Sequence, residues 1–439
     1  MTASGAPPDT PSGRSSDTHR AIDAVWRIES PRLIAGLARI VRDVGVAEEL
    51  AQDALVAALE QWPQEGVPRN PGAWLMAISK RRAIDLIRRR QRLERKIEEI
   101  GHDLETGPEG TAEFDAVLDD TIEDDLLRLI FTACHPVLST EARVALTLRL
   151  LGGLTTDEIA RAFLVPEPTV AQRIVRAKRT LTQARVPFEV PQGEDRAARL
   201  SSVLEVVYLV FNEGYSATAG DDWMRPSLCE EALRLGRILA ELAAGEPEVH
   251  GLVALMEIQA SRSAARTGPS GEPVLLLDQD RTHWDQLLIR RGLAALERAE
   301  ALDAGLGPYA LQAAIAACHA RAHAPEETDW ARIAALYAQL AELVPSPVVE
   351  LNRAVALAMA FGPAAGLALV DTLTGEPSLQ AYHLLPSVRG DFLAKLGRLE
   401  EAGREFEHAA SLTRNSRERT LLLERAAACA RGSAPSQMP

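Results

Sequence analysis

The sequence is poor in cysteine, aromatics and long apolar runs, and each shortage closes off a class of protein. Four cysteines (Cys134, Cys229, Cys318, Cys429) lie far apart with no CxxC pair, which argues against a disulfide framework or a zinc site and for buried, reduced thiols. Aromatic residues make up 4% of the chain. Alanine and leucine carry the apolar load instead, which favours close-packed helices over sheets. The longest uncharged apolar run, Ala354–Val370, falls short of the ~20 residues of a membrane span and is broken by Gly362-Pro363. It reads as two short buried helices and the turn between them. No glycine-rich phosphate loop is present. Met1–Thr18 is rich in Ser, Pro, Gly and Thr, lacks the apolar centre of a signal peptide, and reads as a disordered lead-in. The expected compartment is the cytoplasm.

The 439 residues are too many for one core and suggest two to four domains. A hydrophobic fraction of 46% supplies enough apolar surface to build them. The formal net charge of −14, taken whole, argues against a nucleic-acid partner, but the charge is segregated. Arg20–Lys96 holds 15 Lys/Arg against 10 Asp/Glu, and Arg161–Arg185 holds six against Glu167 alone. Between them, Glu98–Asp125 carries twelve acids and no Lys or Arg.

The first basic segment centres on Trp74–Arg90, a helical pattern that follows the turn Val67–Gly72. Leu75, Ile78, Ser79 and Leu86 fall on one side and can dock on a core, while Arg81, Asp85 and Arg88 share another. Lys80–Lys96 has nine Lys/Arg against Asp85 and Glu94. That is the density of a phosphate-binding surface on an element rigid enough to aim side chains at bases. A solvated basic face on an ordinary bundle helix would have the same composition.

The second segment adds what the first lacks. Thr155 and Glu158 have the spacing of a capping box for a short helix over Asp157–Phe163. Leu164-Val-Pro166 makes a turn, and a longer helix starts near Pro168, where proline's missing N–H costs nothing. Val170, Ile174, Ala177 and Leu181 form its apolar stripe; Thr169, Gln172, Arg173 and Arg176 form a polar face. Two helices joined by a tight turn, the second carrying Thr, Gln and Arg, make a helix-turn-helix with its recognition helix in the major groove. Arg and Gln suit base edges; Lys178, Arg179 and Arg185 suit phosphates.

Upstream, Val46–Glu60 is amphipathic, with Leu50, Ala54, Ala57 and Ala58 inward and Glu48, Glu49, Gln52 and Asp53 outward. The acidic face is either solvated or serves a partner other than DNA. Glu98–Asp125 reads as a linker extended by its own repulsion. As such it is a bare tether or, by mimicking nucleic acid, the lining of a channel.

Taken together, Ala47-Glu-Glu-Leu-Ala-Gln-Asp-Ala54, Trp74-Leu-Met-Ala-Ile, Arg82-Ala-Ile-Asp-Leu-Ile-Arg88 and Leu154–Arg179 resemble regions two and four of a bacterial sigma factor of the extracytoplasmic-function group. The resemblance covers residues 20–186 and implies an all-α initiation factor that binds core RNA polymerase and promoter DNA. It implies that Glu48, Glu49, Gln52 and Asp53 dock on the polymerase. It implies that Asn70, Trp74, Arg81, Arg82, Asp85, Arg88, Arg89 and Arg90 melt and read the −10 element, with Asp85 orienting an arginine. Thr169, Gln172, Arg173, Arg176, Lys178 and Arg179 would read the −35. Many relatives have Asn where this chain has Arg81.

Val207–Tyr215, Gly251–Met256, Leu277–Asp285 and Pro345–Val355 resemble the long helical C-terminal extension of one subgroup, which implies control of sigma activity and a partner such as a YCII-related protein. Leu396-Gly397 followed by Ala402 and Phe406 resembles a tetratricopeptide pattern, and Gly362 precedes Gly397 by 35 residues. The expected domains are 19–96 (region two), 97–122 (acidic linker), 123–186 (region four), 187–432 (the extension, tetratricopeptide-like in its second half) and a tail from 433 to 439. Asp278, Asp280, His283 and Asp285, with Glu213 elsewhere, are the nearest approach to a catalytic cluster. Arg281 and Trp284 interleave with them, which points to salt bridges and helix caps rather than chemistry. His135, beside Cys134 and Pro136, reads as a packed or capping histidine. No enzyme activity, cofactor or metal is expected. Two other readings stay open: a dimeric helix-turn-helix regulator with a ligand-sensing helical half, and a scaffold whose repeats are its main business.

Overall fold

Helix formers at helical spacing dominate the chain, and in the computed structural model every regular element among the described residues is helical. The described residues are 11–101, 122–163, 165–215, 224–268, 274–302, 305–413 and 416–432. The chain divides into two compact units, Met1–Ile238 and Leu239–Pro439.

In the first unit, α1 (Pro11–Val41) and α2 (Val44–Glu65) pack together, with Asp43 capping α2 by accepting from the Val46 N–H at 3.0 Å. A cap of this kind is worth ~1 kcal/mol. Helix α3 (Pro71–Gly101) packs on both. Ile22, Leu33, Ile34 and Leu37 of α1 and Leu50, Ala54, Ala58 and Trp62 of α2 are buried. Alanine at the α2 positions lets the helix axes come close, as the scarcity of aromatics implies. Residues 11–18, expected in the lead-in, are the first turns of α1, and α3 continues past Lys96 into the stretch read as linker. Residues 1–10, most of that linker (102–121) and the tail (433–439) lie outside the described residues.

Helices α4 (Ile122–Ala133), α5 (Thr140–Leu150), α6 (Thr156–Phe163) and α7 (Glu167–Gln183) follow, then α8 (Gly193–Tyr215) and α9 (Pro226–Leu242). Helix α8 buries Val203, Leu204, Val206, Val207, Val210 and Phe211. It is tied to the preceding helices by polar bonds as well. Arg199 donates to the Phe131 carbonyl at 2.9 Å, Ser202 to the Cys134 carbonyl at 2.7 Å, and buried Arg143 reaches Ser202 and Glu205. The residues after 186 therefore continue the first unit as far as Ile238, before the second begins.

The second unit begins at Leu239, in the last turn of α9, and its first full helix is α10 (Pro247–Ala260), buried on all sides from Val249 to Ile258. Helices α11 (Gln286–Ala301) and α12 (Pro308–Arg321) pack against it. At Gly251 a Cβ would lie 2.6 Å from the Ala310 backbone nitrogen, so only glycine lets α10 and α12 approach this closely. Glu248 caps α12, accepting from the Tyr309 and Ala310 N–H groups.

Helices α13 (Trp330–Leu343), α14 (Pro347–Phe361), α15 (Pro363–Leu373), α16 (Leu384–Lys395), α17 (Leu399–Leu412) and α18 (Ser416–Ala430) then pack each on the next. Ala354–Val370 falls in two helices with Gly362 (φ 96°) at the turn, as expected, but they are not buried throughout: Ala354, Ala356, Gly366, Leu367 and Val370 are buried while Phe361 is exposed; Gly397 (φ 78°) makes the matching turn between α16 and α17. Ala402 and Phe406 are fully buried in the core those hairpins share. No helix among the described residues is long and apolar enough to cross a membrane.

Candidate nucleic-acid interface

Helix α3 begins where the turn predicts. Asn70, expected at the −10 element, is its N-cap, its side-chain carbonyl accepting from the Ala73 N–H at 3.1 Å. Trp74 is half-buried, edge-on to Trp62 with ring centroids 5.3 Å apart. Leu75, Ser79 and Ala83 are the docking row, all fully buried, and the Ser79 hydroxyl donates to the Leu50 carbonyl. Ile78 and Leu86, expected in that row, are half-buried at its margins. Arg81, Asp85 and Arg88 are exposed on the opposite side, and Arg82, Arg89 and Arg90 are exposed as well. Asp85 pairs with no arginine among the described residues. Arg82 is held instead by Asp53 of α2, at 3.1 Å. Arg81, Arg88 and Arg89, each one turn from Asp85, are exposed.

The second basic element also folds as read. Thr155 and Glu158 form a reciprocal capping box: the Thr155 hydroxyl accepts from the Glu158 N–H at 3.1 Å, and the Glu158 carboxylate accepts from the Thr155 N–H at 2.8 Å. Val170, Ile174, Ala177 and Leu181 are buried, which pins α7 against α5 and α6. Gln172, Arg176 and Arg179 are exposed on the far side; Thr169 and Arg173 are half-buried at its flank. Lys178 behaves differently. It turns toward α2 and pairs with Glu48, with only 22% of its side chain exposed. Thr182, one turn on, donates to the Asp43 carboxylate at 3.0 Å.

Glu48 is the main departure from the sequence reading. It is 2% exposed, not outward. Arg149 of α5 holds its carboxylate at 2.7 Å, Lys178 pairs with it, and Gln52 donates to it at 2.6 Å. A carboxylate this buried requires such partners, since leaving it unpaired costs several kcal/mol. Of the acids expected to meet the polymerase, Glu49 and Asp53 remain exposed, and Gln52 is half-buried beside Glu48. The sequence missed Val56 (52% exposed) and Leu59 (38%), which stand beside Asp53 and Gln52 on the outer side of α2 and give it an apolar component.

A cavity of about 630 Å³ opens where the C-terminal ends of α1 and α7 meet, lined by Arg39, Arg42, Arg128, Lys178 and Arg185 with Asp43 and Glu189. Three of these cations, Arg39, Arg128 and Lys178, are paired within the fold. Arg42 (φ 52°) and Arg185 (φ 49°) take the left-handed conformation that closes each helix. Arg39 and Arg128 both pair with buried Asp125, at 2.9 and 2.6 Å; burial raises its pKa, and the two guanidiniums pull it back.

Several other titratable groups pack or pair within the fold. Cys134 is buried, its thiol pushed up to about 11 by desolvation. His135 accepts from the Val137 N–H through Nδ1 at 3.1 Å, the capping role expected, and desolvation lowers its pKa to about 4. Glu213 pairs with Arg225. In the Leu277–Asp285 motif, Asp280 accepts from the Thr282 N–H at 2.9 Å, and Asp285 caps α11 through the Leu287 and Leu288 N–H groups. Arg281 lies 5.0 Å over the Trp284 ring and donates to the carbonyls of His319 and Ala322. His319 packs edge-on to Trp330, and desolvation lowers its pKa to about 3. The motif ties chain segments together.

Comparisons with known proteins match both basic segments as whole domains. Residues 26–93 match sigma-70 region 2, and residues 128–181 match sigma-70, region 4. Residues 199–300 match a family of unknown function, DUF6596. An uncharacterized protein of Rhizobium meliloti (strain 1021) is 45% identical over 399 residues, 90% of this chain and 93% of that protein. The probable ECF RNA polymerase sigma factor SigI of Mycobacterium tuberculosis is 27% identical over 184 residues, 40% of this chain and 60% of that protein. The ECF RNA polymerase sigma factor SigK of Mycobacterium ulcerans is 28% identical over 189 residues, 39% of this chain and 95% of that protein. No solved structure matches the chain.

Proposed function

The chain belongs to the extracytoplasmic-function group of the sigma-70 family, with a C-terminal extension, and on that premise we propose how its parts divide the work of promoter-specific transcription. Helix α2 docks on core RNA polymerase through Glu49, Gln52, Asp53, Val56 and Leu59. Helix α3 meets the −10 element through Asn70, Trp74 and the row Arg81, Arg82, Arg88, Arg89 and Arg90. Helix α7 reads the −35 element through Gln172, Arg176 and Arg179, with Thr169 and Arg173 at the flank. The chemistry of strand synthesis stays with the polymerase. One observation carries the reading: α3 and α7 each bury a single apolar row and leave arginines exposed on the opposite side. A dimeric regulator would give α7 the same work but leave the arginine row of α3 without any.

The test is promoter opening by core polymerase with the full chain added, on DNA from upstream of its own operon. Replacing Arg88 and Arg89 by alanine removes two exposed cations without touching the core. The expected result is an intact polymerase complex whose promoter opening falls by about tenfold or more, at ~1 kcal/mol or more per charge contact. A complex that opens DNA equally well without them sinks the assignment of α3.

The extension, by this proposal, controls activity through the second unit. Its stacked helical hairpins, turning at Gly362 and Gly397, support a tetratricopeptide-like scaffold that takes a regulatory protein or ligand. A chain ending at Gly245 keeps α8 and α9 with the first unit and removes the rest. Higher transcription from it means that the second unit restrains the DNA-binding helices. Lost transcription means that it supplies a contact the holoenzyme needs. Unchanged transcription defeats the proposed control.

A further inference from the structure

Helix α7 carries an exposed side chain that the reading above leaves without work. Val175 is 63% exposed, more so than Val137, the other exposed large hydrophobic among the described residues of 122–186. It stands three residues after Gln172 and four before Arg179, so the three share the outward surface, opposite the buried stripe. Exposed Pro168 and half-buried Ala171 precede it at one-turn spacing. An apolar strip, Pro168–Ala171–Val175, thus runs beside the polar row Gln172–Arg176–Arg179. At 63% exposure this valine is no part of the buried stripe, and as a β-branched residue it favours the helix less than alanine would.

In the major groove, the C5-methyl of thymine is the apolar group a base edge presents, and small aliphatic side chains are what meet it. Gln172 and Arg179, on either side of Val175, suit adenine and guanine. We propose that Val175 reads a thymine methyl within the −35 element, between the bases met by Gln172 and Arg179. This rests on the assignment of α7 to that element and adds the specificity of one position.

The experiment uses holoenzyme assembled from the full chain and core polymerase. It first selects its promoter from a library of random duplexes. Each thymine of the selected −35 element is then replaced by deoxyuridine, which deletes the methyl group and nothing else. At one position the unaltered protein is expected to lose about fourfold in affinity, the weight of one methylene-sized apolar contact. Val175→Ala is expected to bind the thymine duplex about as weakly as the unaltered protein binds the deoxyuridine duplex, and to lose nothing further on deoxyuridine. Val175→Thr, which keeps one methyl group, should retain part of the discrimination. If both proteins lose the same factor at every position, or if the selected element has no thymine there, the inference is overturned while the promoter reading stands. If no complex forms, or no sequence is enriched, the promoter reading falls and takes the inference with it.

Discussion

Helices α2 and α7 look alike on paper, each amphipathic and each with a polar face offered to a partner, yet the fold treats those faces differently. On α7 the four apolar residues go in and Gln172, Arg176 and Arg179 stay out. On α2 the polar face is split. Glu48 is sealed beneath Arg149 and Lys178, Asp53 is tied to Arg82, and Glu49 stands exposed beside them. The difference lies in how many neighbours each helix has. Helix α7 rests mainly on α5 and α6, whereas α2 is flanked by α1, α3 and α7. Helical period says which residues need a polar environment. It does not say whether water or another side chain supplies it.

The comparison can be broken most directly at Glu48. Glu48→Ala leaves Arg149 and Lys178 facing each other without their carboxylate, and removing one member of a buried pair costs ~3 kcal/mol. Glu49→Ala, one residue on but exposed, should cost less than ~0.5 kcal/mol. Urea unfolding of the full chain, followed through the transition of the first unit, measures both. Equal shifts for the two variants would mean that Glu48 is solvated and that α2 has one polar face after all.

Much of the fold was legible because the signals were local. The Thr155–Glu158 box, the Val170–Leu181 stripe and the break at Gly362-Pro363 each depend on residues within one or two turns. What the sequence hid were partners far along the chain. Glu48 meets residues 101 and 130 positions away, and Arg281 anchors to carbonyls 38 and 41 residues on. One local hint existed. Glu48 lies in the row Val44–Glu48–Ala51, whose other members are buried, so a charge there implied a buried partner. Helix α8 was assigned to the extension because its apolar pattern does not say which core it joins. In the fold it packs on α4 and α5, with Arg143 reaching from α5 to Ser202 and Glu205. The −10 residues were legible as a row, but Asp85 was not. A carboxylate amid arginines invites pairing on paper, while the arginine that is paired, Arg82, took Asp53 from another helix.

The comparison sharpens on two adjacent residues of α7. Lys178 and Arg179 are both basic and both suit phosphate, but the fold points Lys178 at Glu48 and Arg179 at solvent. Arg179→Ala should weaken binding to a selected promoter duplex by about tenfold, lower the dependence on log salt by about one unit if its contact is a phosphate, and leave the unfolding midpoint alone. Lys178→Gln should do the reverse, costing ~1 kcal/mol of stability while binding stays within about twofold. Affinity titrations at several salt concentrations, paired with melting curves, separate the two. If Lys178→Gln weakens DNA binding as much as Arg179→Ala, the lysine must leave Glu48 when α7 enters the groove. The buried pair would then be a contact that promoter binding has to open.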